Sequence, residues 1–330
     1  MKKIKVFITG HSGMLAIEAA KLIAVSDKFE LVDTAGLEFY TNPFHYINNR
    51  LIKSPEVDIT DESILDMLYR RLQGEEVVIL HTAAYVNTDK CEQFSYEAVK
   101  SNVYGTQLLI NLAKKLNAFF VYCSTTAVFD PDEYMKRAGT FDETAKINPK
   151  TIYGLTKYLG EIAIKQSLPK EKYIVLKPVF FYGDAPNDNS SMLRKILEQI
   201  YLNKKDKKLN VLLDPEIEKD YCRSEVFADM LMTLLNSDFN YIAGKDYIIS
   251  RDKPEPFKYY LDIIEGITKI DNIYDYINII PEKDYLKRHN GLSNNFYERF
   301  PDYKIPDWAF FDNFGISKTF ESIKRLYENF

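Results

Sequence analysis

In the segment "TIYGLTKYLGE", Tyr153 and Lys157 stand four residues apart, the spacing that places two side chains on one face of a helix. An ammonium beside a phenol favours the phenolate and lowers the tyrosine pKa from about 10 toward the working range of a general acid–base residue. The spacing alone arises by chance in many helices. It gains meaning from "VYCSTTAVFD", where Ser124, Thr125 and Thr126 close a β-type run and Thr125 lies 28 residues before Tyr153.

A second cluster opens the chain. In "FITGHSGMLA", Gly10, Gly13 and Ala16 form a GxxGxxA turn between a strand pattern and a helix pattern. Gly10 permits a tight turn, Gly13 lets backbone N–H groups approach a pyrophosphate at the helix N-terminus, and Ala16 allows close helix–strand packing. Read alone, the same glycines equally end an ordinary strand. Asp33 follows Gly10 by 23 residues, near the end of the next strand pattern, where a carboxylate holds both ribose hydroxyls of an adenosine and repels a 2′-phosphate. NAD(H) is therefore favoured over NADP(H), with a turn-capping aspartate as the other reading. In "VDIT", Asp58 and Ile59 are placed beside the adenine.

These residues need a scaffold. Short β-type runs beginning near Ile4, Phe29, Glu75, Ala118 and Lys172 alternate with helix-period segments. That alternation indicates repeated βαβ units and a doubly wound parallel sheet covered by helices on both faces. Crossover helices are expected in "MLAIEAAKLIAVS", in "TDESILDMLYRRLQ" with Thr60 as N-cap, and as one long helix over "SYEAVKSNVYGTQLLINLAKKLN". Beyond residue 178 the pattern loosens and ends in an aromatic-rich tail, read as a second, smaller domain.

The 330 residues are 46% apolar and carry a formal charge of −5. The densest basic run, "NKKDKKLN", reads as a solvated loop, so no nucleic-acid partner is expected. Lys5 interrupts the first apolar stretch, and no segment approaches the ~20 apolar residues of a membrane span. A cytosolic location without a membrane partner is expected. Cys91, Cys123 and Cys222 are odd in number and show no CxxC spacing, so neither a disulfide framework nor a metal site is indicated.

Taken in order, the glycine turn, "DIT", "HTAAYVNTDKCE", "NVYGT", "CSTTAVFD", "YGLTK" and "LKPVFFYG" resemble the extended short-chain dehydrogenase/reductase family over about the first 185 residues, most closely its dTDP-4-dehydrorhamnose reductase branch. The resemblance implies a Rossmann-type dinucleotide-binding domain over residues 1–177, to which the chain returns near 211–250. A smaller mixed α/β substrate domain would lie mainly in 178–330. It implies that Thr125 hydrogen-bonds the sugar oxygen, that Tyr153 moves its proton, and that Lys157 lowers the Tyr153 pKa and binds the nicotinamide ribose. Ser12, Met14, Leu15, Ala83, Ala84, Tyr85, Asn102 and Phe180 would join the glycines around the dinucleotide, with a structural link near the site as the other reading of Asn102. Ser12 stands where an arginine grips the NADP phosphate in similar sequences, again favouring NAD(H).

Asn87, Thr126, Ala127, Tyr182, Arg223 and Arg288 would face a nucleotide sugar. Thr126 and Ala127 replace the acid and base that a 4,6-dehydratase needs, so dehydration is not expected. Cys123 precedes the position of an epimerising cysteine and reads as a core thiol. The implied activity is NAD(P)H-dependent reduction of a 4-keto group on a nucleotide-activated deoxy sugar. The alternatives are a nucleotide-sugar 4-epimerase with tightly bound NAD and a non-catalytic regulatory subunit. The family's homodimer, formed by the helices bearing Asn102 and Tyr153, would use Leu108, Leu109, Ile162 and Ile164.

Overall fold

The structure, a computed structural model, describes residues 2–34, 45–47, 50–52, 57–130, 140–183, 191–211, 218–251, 254–279, 291–292, 300, 303–304 and 312–328. The chain divides into two compact units. One comprises Met1–Val128, Ile147–Pro178 and Phe227–Ile249, the other Phe129–Lys146, Val179–Val226 and Ser250–Phe330.

The first unit is built on six parallel strands, β1 (Ile4–Thr9), β2 (Phe29–Leu31), β3 (Val77–His81), β4 (Phe119–Cys123), β5 (Tyr173–Pro178) and β6 (Lys245–Ile249). Their order across the sheet is β6-β5-β4-β3-β1-β2. Every residue of β3, β4 and β5 is buried. Strands covered on both faces have no solvent side to alternate toward, which is why "VVIL" and "FFVYC" are near-continuous apolar runs. From β1 the chain steps outward to β2 and then returns to β3 on the opposite side of β1. This reversal opens a crevice outside the carboxyl ends of β1 and β3, where open α/β sheets receive ligands.

The helices α1 (Met14–Ala24), α2 (Glu62–Leu72), α3 (Thr106–Leu116) and α4 (Ile152–Ser167) flank this sheet. α2 buries Ile64, Leu65, Leu68 and Leu72 along one stripe. Its N-cap is Asp61, whose carboxylate accepts from the Ser63 and Ile64 amides, and not Thr60. Thr60 is unavailable because Asp58 Oδ1 accepts both its amide and its hydroxyl, at 2.8 Å each. The long helix expected over residues 95–117 is three pieces: an α-helical Ser95–Val99, a π-helical turn Lys100–Gly105, and α3. Gly105 in that turn rests on Ile59, whose Cδ1 lies 2.7 Å from where a Cβ would stand.

The second unit is assembled from shorter pieces. Strand Phe180–Tyr182 pairs in parallel with Tyr221–Arg223. Helices Met192–Tyr201, Phe257–Thr268 and Asp312–Glu328 close over a core that includes Leu193, Leu197, Tyr260, Ile264, Ile316 and Ile323. A buried charged cluster centres on Arg251. Its Nε donates to Asp220 at 3.1 Å, its Nη1 to both oxygens of Asp312 at 2.9 Å, and its Nη2 to the Tyr260 hydroxyl at 2.6 Å.

Among the described residues no helix is long and apolar enough to cross a membrane. No group of three or more His, Cys, Asp or Glu among them is arranged to hold a metal ion.

Candidate active site

β1 ends at Thr9, and Gly10 follows with φ +67°, a left-handed conformation that suits glycine. A Cβ there would stand 2.8 Å from the Ala83 Cα and 2.9 Å from the Ala83 nitrogen, both backbone atoms just past β3. The turn is closed by the Gly13 amide donating to the Gly10 carbonyl at 2.8 Å. α1 then begins at buried Met14 and half-buried Leu15, with Gly13 as an N-cap that offers no side chain and no acidic residue in the first turn. The first amides of α1 are thus left for a ligand, and the helix dipole favours an anion there. The donor set and the missing Cβ fit a dinucleotide's pyrophosphate. Asp33 is exposed two residues past β2, its backbone carbonyl accepting from Arg71.

On the other side of the crevice, β4 runs out into Ser124, Thr125 and the 3₁₀ turn Thr126–Val128. The Thr125 hydroxyl accepts the Ala127 amide at 3.2 Å and stands near enough to the Tyr153 phenol to favour its ionised form. Thr151 starts α4 by accepting the Gly154 amide at 3.0 Å, which sets Tyr153 in the first turn and Lys157 one turn on. Gly154 allows this approach, since a Cβ would lie 2.5 Å from the Ala127 carbonyl oxygen. Thr125, Tyr153 and Lys157 are therefore brought together as the sequence implied.

The electrostatics differ from the sequence expectation. Desolvation, reinforced by the neighbouring Cys123, pushes the Tyr153 phenol above its ordinary range, and the nearby Thr125 only partly offsets this. Lys157 is not among the groups that pull Tyr153 down. Its own ammonium is buried and lies 4.2 Å from the centre of the Tyr122 ring, and burial lowers its pKa from 10.5 to about 8. The tyrosine is thus held as a phenol at neutral pH, a proton donor.

A lysine so depressed carries a stability cost. Between pH 8 and 10.5 the unfolded chain binds this proton more strongly than the native one, so the lysine's contribution to stability rises with pH through that window. Lys157→Met is expected to raise the melting temperature at pH 7 while removing turnover. The gain over wild type should shrink as pH is raised from 8 to 10. Thermal unfolding across that range checks this, and a pH-independent gap would contradict it.

Other expected residues have found protein partners. Asn102 is fully buried: its Oδ1 accepts the Tyr85 amide at 2.7 Å, and its Nδ2 donates to the Tyr85 carbonyl at 3.1 Å and to Thr156 Oγ1 at 2.9 Å. Its amide is thus a structural link beside the site. Asn87 caps the helix Thr88–Gln93 by accepting the Lys90 amide. Ile59 is buried in the apolar core of the first unit. Ser12, Ala83, Ala84, Tyr85, Thr126 and Ala127 are half-buried on the loops that follow β1, β3 and β4. Cys123 is buried, its thiol pushed up to about 11, as befits a core thiol.

Phe180, Tyr182 and Arg223 belong to the second unit. Phe180 is half-buried, its ring 5.5 Å from that of Tyr221. Tyr182 donates to Asp312 at 2.8 Å, and Arg223 is buried against Glu225 at 2.5 Å, a carboxylate it shares with Lys318. Arg288 lies outside the described residues. Of the four apolar residues expected at a dimer face, Leu109 and Ile164 are fully buried and Leu108 packs on the same core, so these serve the chain's own interior. Ile162 is exposed, together with Leu155 and Leu159, a stripe at i, i+4 and i+7 on α4.

Sequence reasoning missed two polar groups behind the site. His81 ends β3 fully buried, hydrogen-bonded through both ring nitrogens. Glu161, one turn beyond Lys157, accepts from Ser124 and pairs with buried Lys177 at 3.1 Å. For His81 the available signal was a polar residue ending an otherwise apolar strand.

Residues 4–216 match the family described as RmlD substrate binding domain. The chain belongs to this family, the RmlD branch of the extended short-chain dehydrogenases/reductases. It is 29% identical over 185 residues to a dTDP-4-dehydrorhamnose reductase of Aggregatibacter actinomycetemcomitans, covering 56% of this chain and 54% of that protein. The chain thus spans about half the length of the curated relatives it matches. Among solved structures it resembles RMD from Pseudomonas aeruginosa complexed with NADPH, with TM-score 0.75 and 15% identity over 98% of this chain and 100% of that one. It also resembles a UDP-glucose 4-epimerase from Thermotoga maritima solved with UDP-glucose, with TM-score 0.74 and 16% identity over 98% and 100% of the two chains. At these identities the structures share the fold.

Proposed function

We propose that this RmlD-family chain is an NAD(P)H-dependent oxidoreductase that reduces a 4-keto group on a nucleotide-activated deoxy sugar. The observation that carries the reading is the convergence of the Thr125 loop and the first turn of α4, where Gly154 packs on the Ala127 carbonyl and Tyr153 and Lys157 stand one turn apart. When bound, a nicotinamide dinucleotide supplies the hydride. Gly10, Gly13 and the first amides of α1 hold its pyrophosphate, and Asp33 favours NAD(H) by receiving the ribose hydroxyls. Tyr153 donates the proton to the sugar oxygen, Thr125 stabilises the charge developing on that oxygen, and the Lys157 ammonium offsets the phenolate left behind. The Rossmann-type unit carries this machinery.

The three cysteines are buried free thiols, in keeping with work in the reducing cytosol. The exposed stripe Leu155, Leu159 and Ile162 supports a homodimer through α4.

The test follows absorbance at 340 nm while NADH or NADPH is mixed with the purified protein and a panel of 4-keto-6-deoxy nucleotide sugars. Steady loss with one member, faster with NADH, is the expected result. A protein that purifies with bound dinucleotide, consumes none and interconverts 4-epimers is instead an epimerase. Absence of turnover with every sugar would assign it as a non-catalytic subunit.

A further inference from the structure

The dinucleotide turn and the catalytic helix meet through a chain of buried hydrogen bonds whose middle link is His81. The proton positions follow from the partners. The Thr106 hydroxyl donates to the Asn102 carbonyl at 2.7 Å, so it has only a lone pair to offer the His81 Nε2, 2.9 Å away. Nε2 therefore carries the proton. Nδ1 is left as an acceptor for the Thr9 hydroxyl at 2.8 Å, and the Thr9 oxygen in turn accepts the Ala83 amide at 3.1 Å. The imidazole is fully buried, and the nearby Lys157 charge together with burial keeps it neutral, as this pattern requires.

The chain runs on in both directions. Thr9 is the residue before Gly10, so one end fixes the turn that meets the pyrophosphate. At the other, Asn102 donates to Thr156, and the Thr156 hydroxyl donates to the Tyr153 carbonyl at 2.9 Å. Thr9, Asn102, Thr106 and Thr156 are each at most 1% exposed. A buried donor without its acceptor is costly, so displacing one link forces the next to follow.

We infer that His81 is a positioning residue that makes dinucleotide binding at the Gly10 turn and the placement of Tyr153 interdependent. The inference rests on the proposed function, and it assigns His81 no contact with the reacting atoms.

The test compares wild type with His81→Phe, which keeps an aromatic ring without nitrogens, and with His81→Asn, whose amide can donate and accept. NADH and NADPH affinities are measured by calorimetry, and kcat and KM with the sugar nucleotide that wild type turns over. The Phe variant is expected to bind dinucleotide about tenfold more weakly and to lose about tenfold in kcat, with the sugar KM near wild type, as removal of a buried hydrogen-bonding unit predicts. The Asn variant should recover most of both losses. If His81→Phe does not fold, Thr106→Val removes the acceptor of the Nε2 proton and should show the same paired losses. A folded variant that changes only melting temperature, or loses only one of the two quantities, overturns the inference and leaves the proposed function standing. A wild-type protein that binds no dinucleotide overturns both.

Discussion

Replacing Tyr153 by phenylalanine is expected to lower turnover by about 10²- to 10⁴-fold, the contribution of a positioned acid–base group, with dinucleotide affinity within about twofold of wild type. The variant removes one oxygen and leaves the backbone carbonyl that Thr156 holds, so the turn at Gly10 and α4 keep their places. The Thr125 hydroxyl keeps its bond from the Ala127 amide in the variant. Because burial already holds the phenol protonated, the loss should be as deep at pH 7 as at pH 8 in the reducing direction. Steady-state turnover and calorimetric dinucleotide binding on the same preparation check this. Wild-type turnover in the Phe variant would remove Tyr153 from the proton-transfer role.

Much of this arrangement was legible in the sequence, because the same physical constraints that shape parallel sheets shape their sequences. Strands covered on both faces are largely apolar, with Lys5 in β1, His81 in β3 and Lys177 in β5 as exceptions, so β1, β3, β4 and β5 announced themselves. A turn packed against the backbone of Ala83 requires glycine, so Gly10 did as well. The pairing of Tyr153 with Lys157 followed from helical period. Other features depend on contacts distant in sequence. Thr60 reads as a helix cap, yet Asp58 takes its hydrogen bonds and moves the cap to Asp61. Leu109 and Ile164 have the apolar character of an interface, but only packing shows that they face the chain's own core while Leu155 and Leu159 do not. The expected lowering of the Tyr153 pKa required knowing the surroundings of the two groups, a half-buried phenol and a buried ammonium, and desolvation reversed its direction. His81 follows four apolar residues, and no local pattern reveals that it bridges Thr9 and Thr106.

Arg251→Met is expected to give the largest stability loss in the second unit, about 3–5 kcal/mol, because it strips the cation from a buried group while leaving its carboxylates behind. The side chains of Arg251, Asp220 and Asp312 are fully buried where they pair. Methionine fills the volume but answers none of the hydrogen bonds that Asp220, Asp312 and Tyr260 now make to the guanidinium. At that magnitude the melting transition should fall by roughly 6–20 °C. If the cause is the uncompensated carboxylates and not lost packing, adding Asp220→Asn and Asp312→Asn to the Met variant should restore a large part of the loss, since a neutral replacement of a whole buried ionic group is often tolerated. The activity readout should separate the two units. The buried Tyr182 hydroxyl donates to Asp312, so disturbing this cluster loosens the strand Phe180–Tyr182 and should raise the sugar KM at a temperature where the variant is still folded. Dinucleotide affinity, proposed to be set by β1, α1 and β2 in the first unit, should remain near wild type. An equal loss of both affinities would mean that the cluster supports the whole chain and not the sugar site.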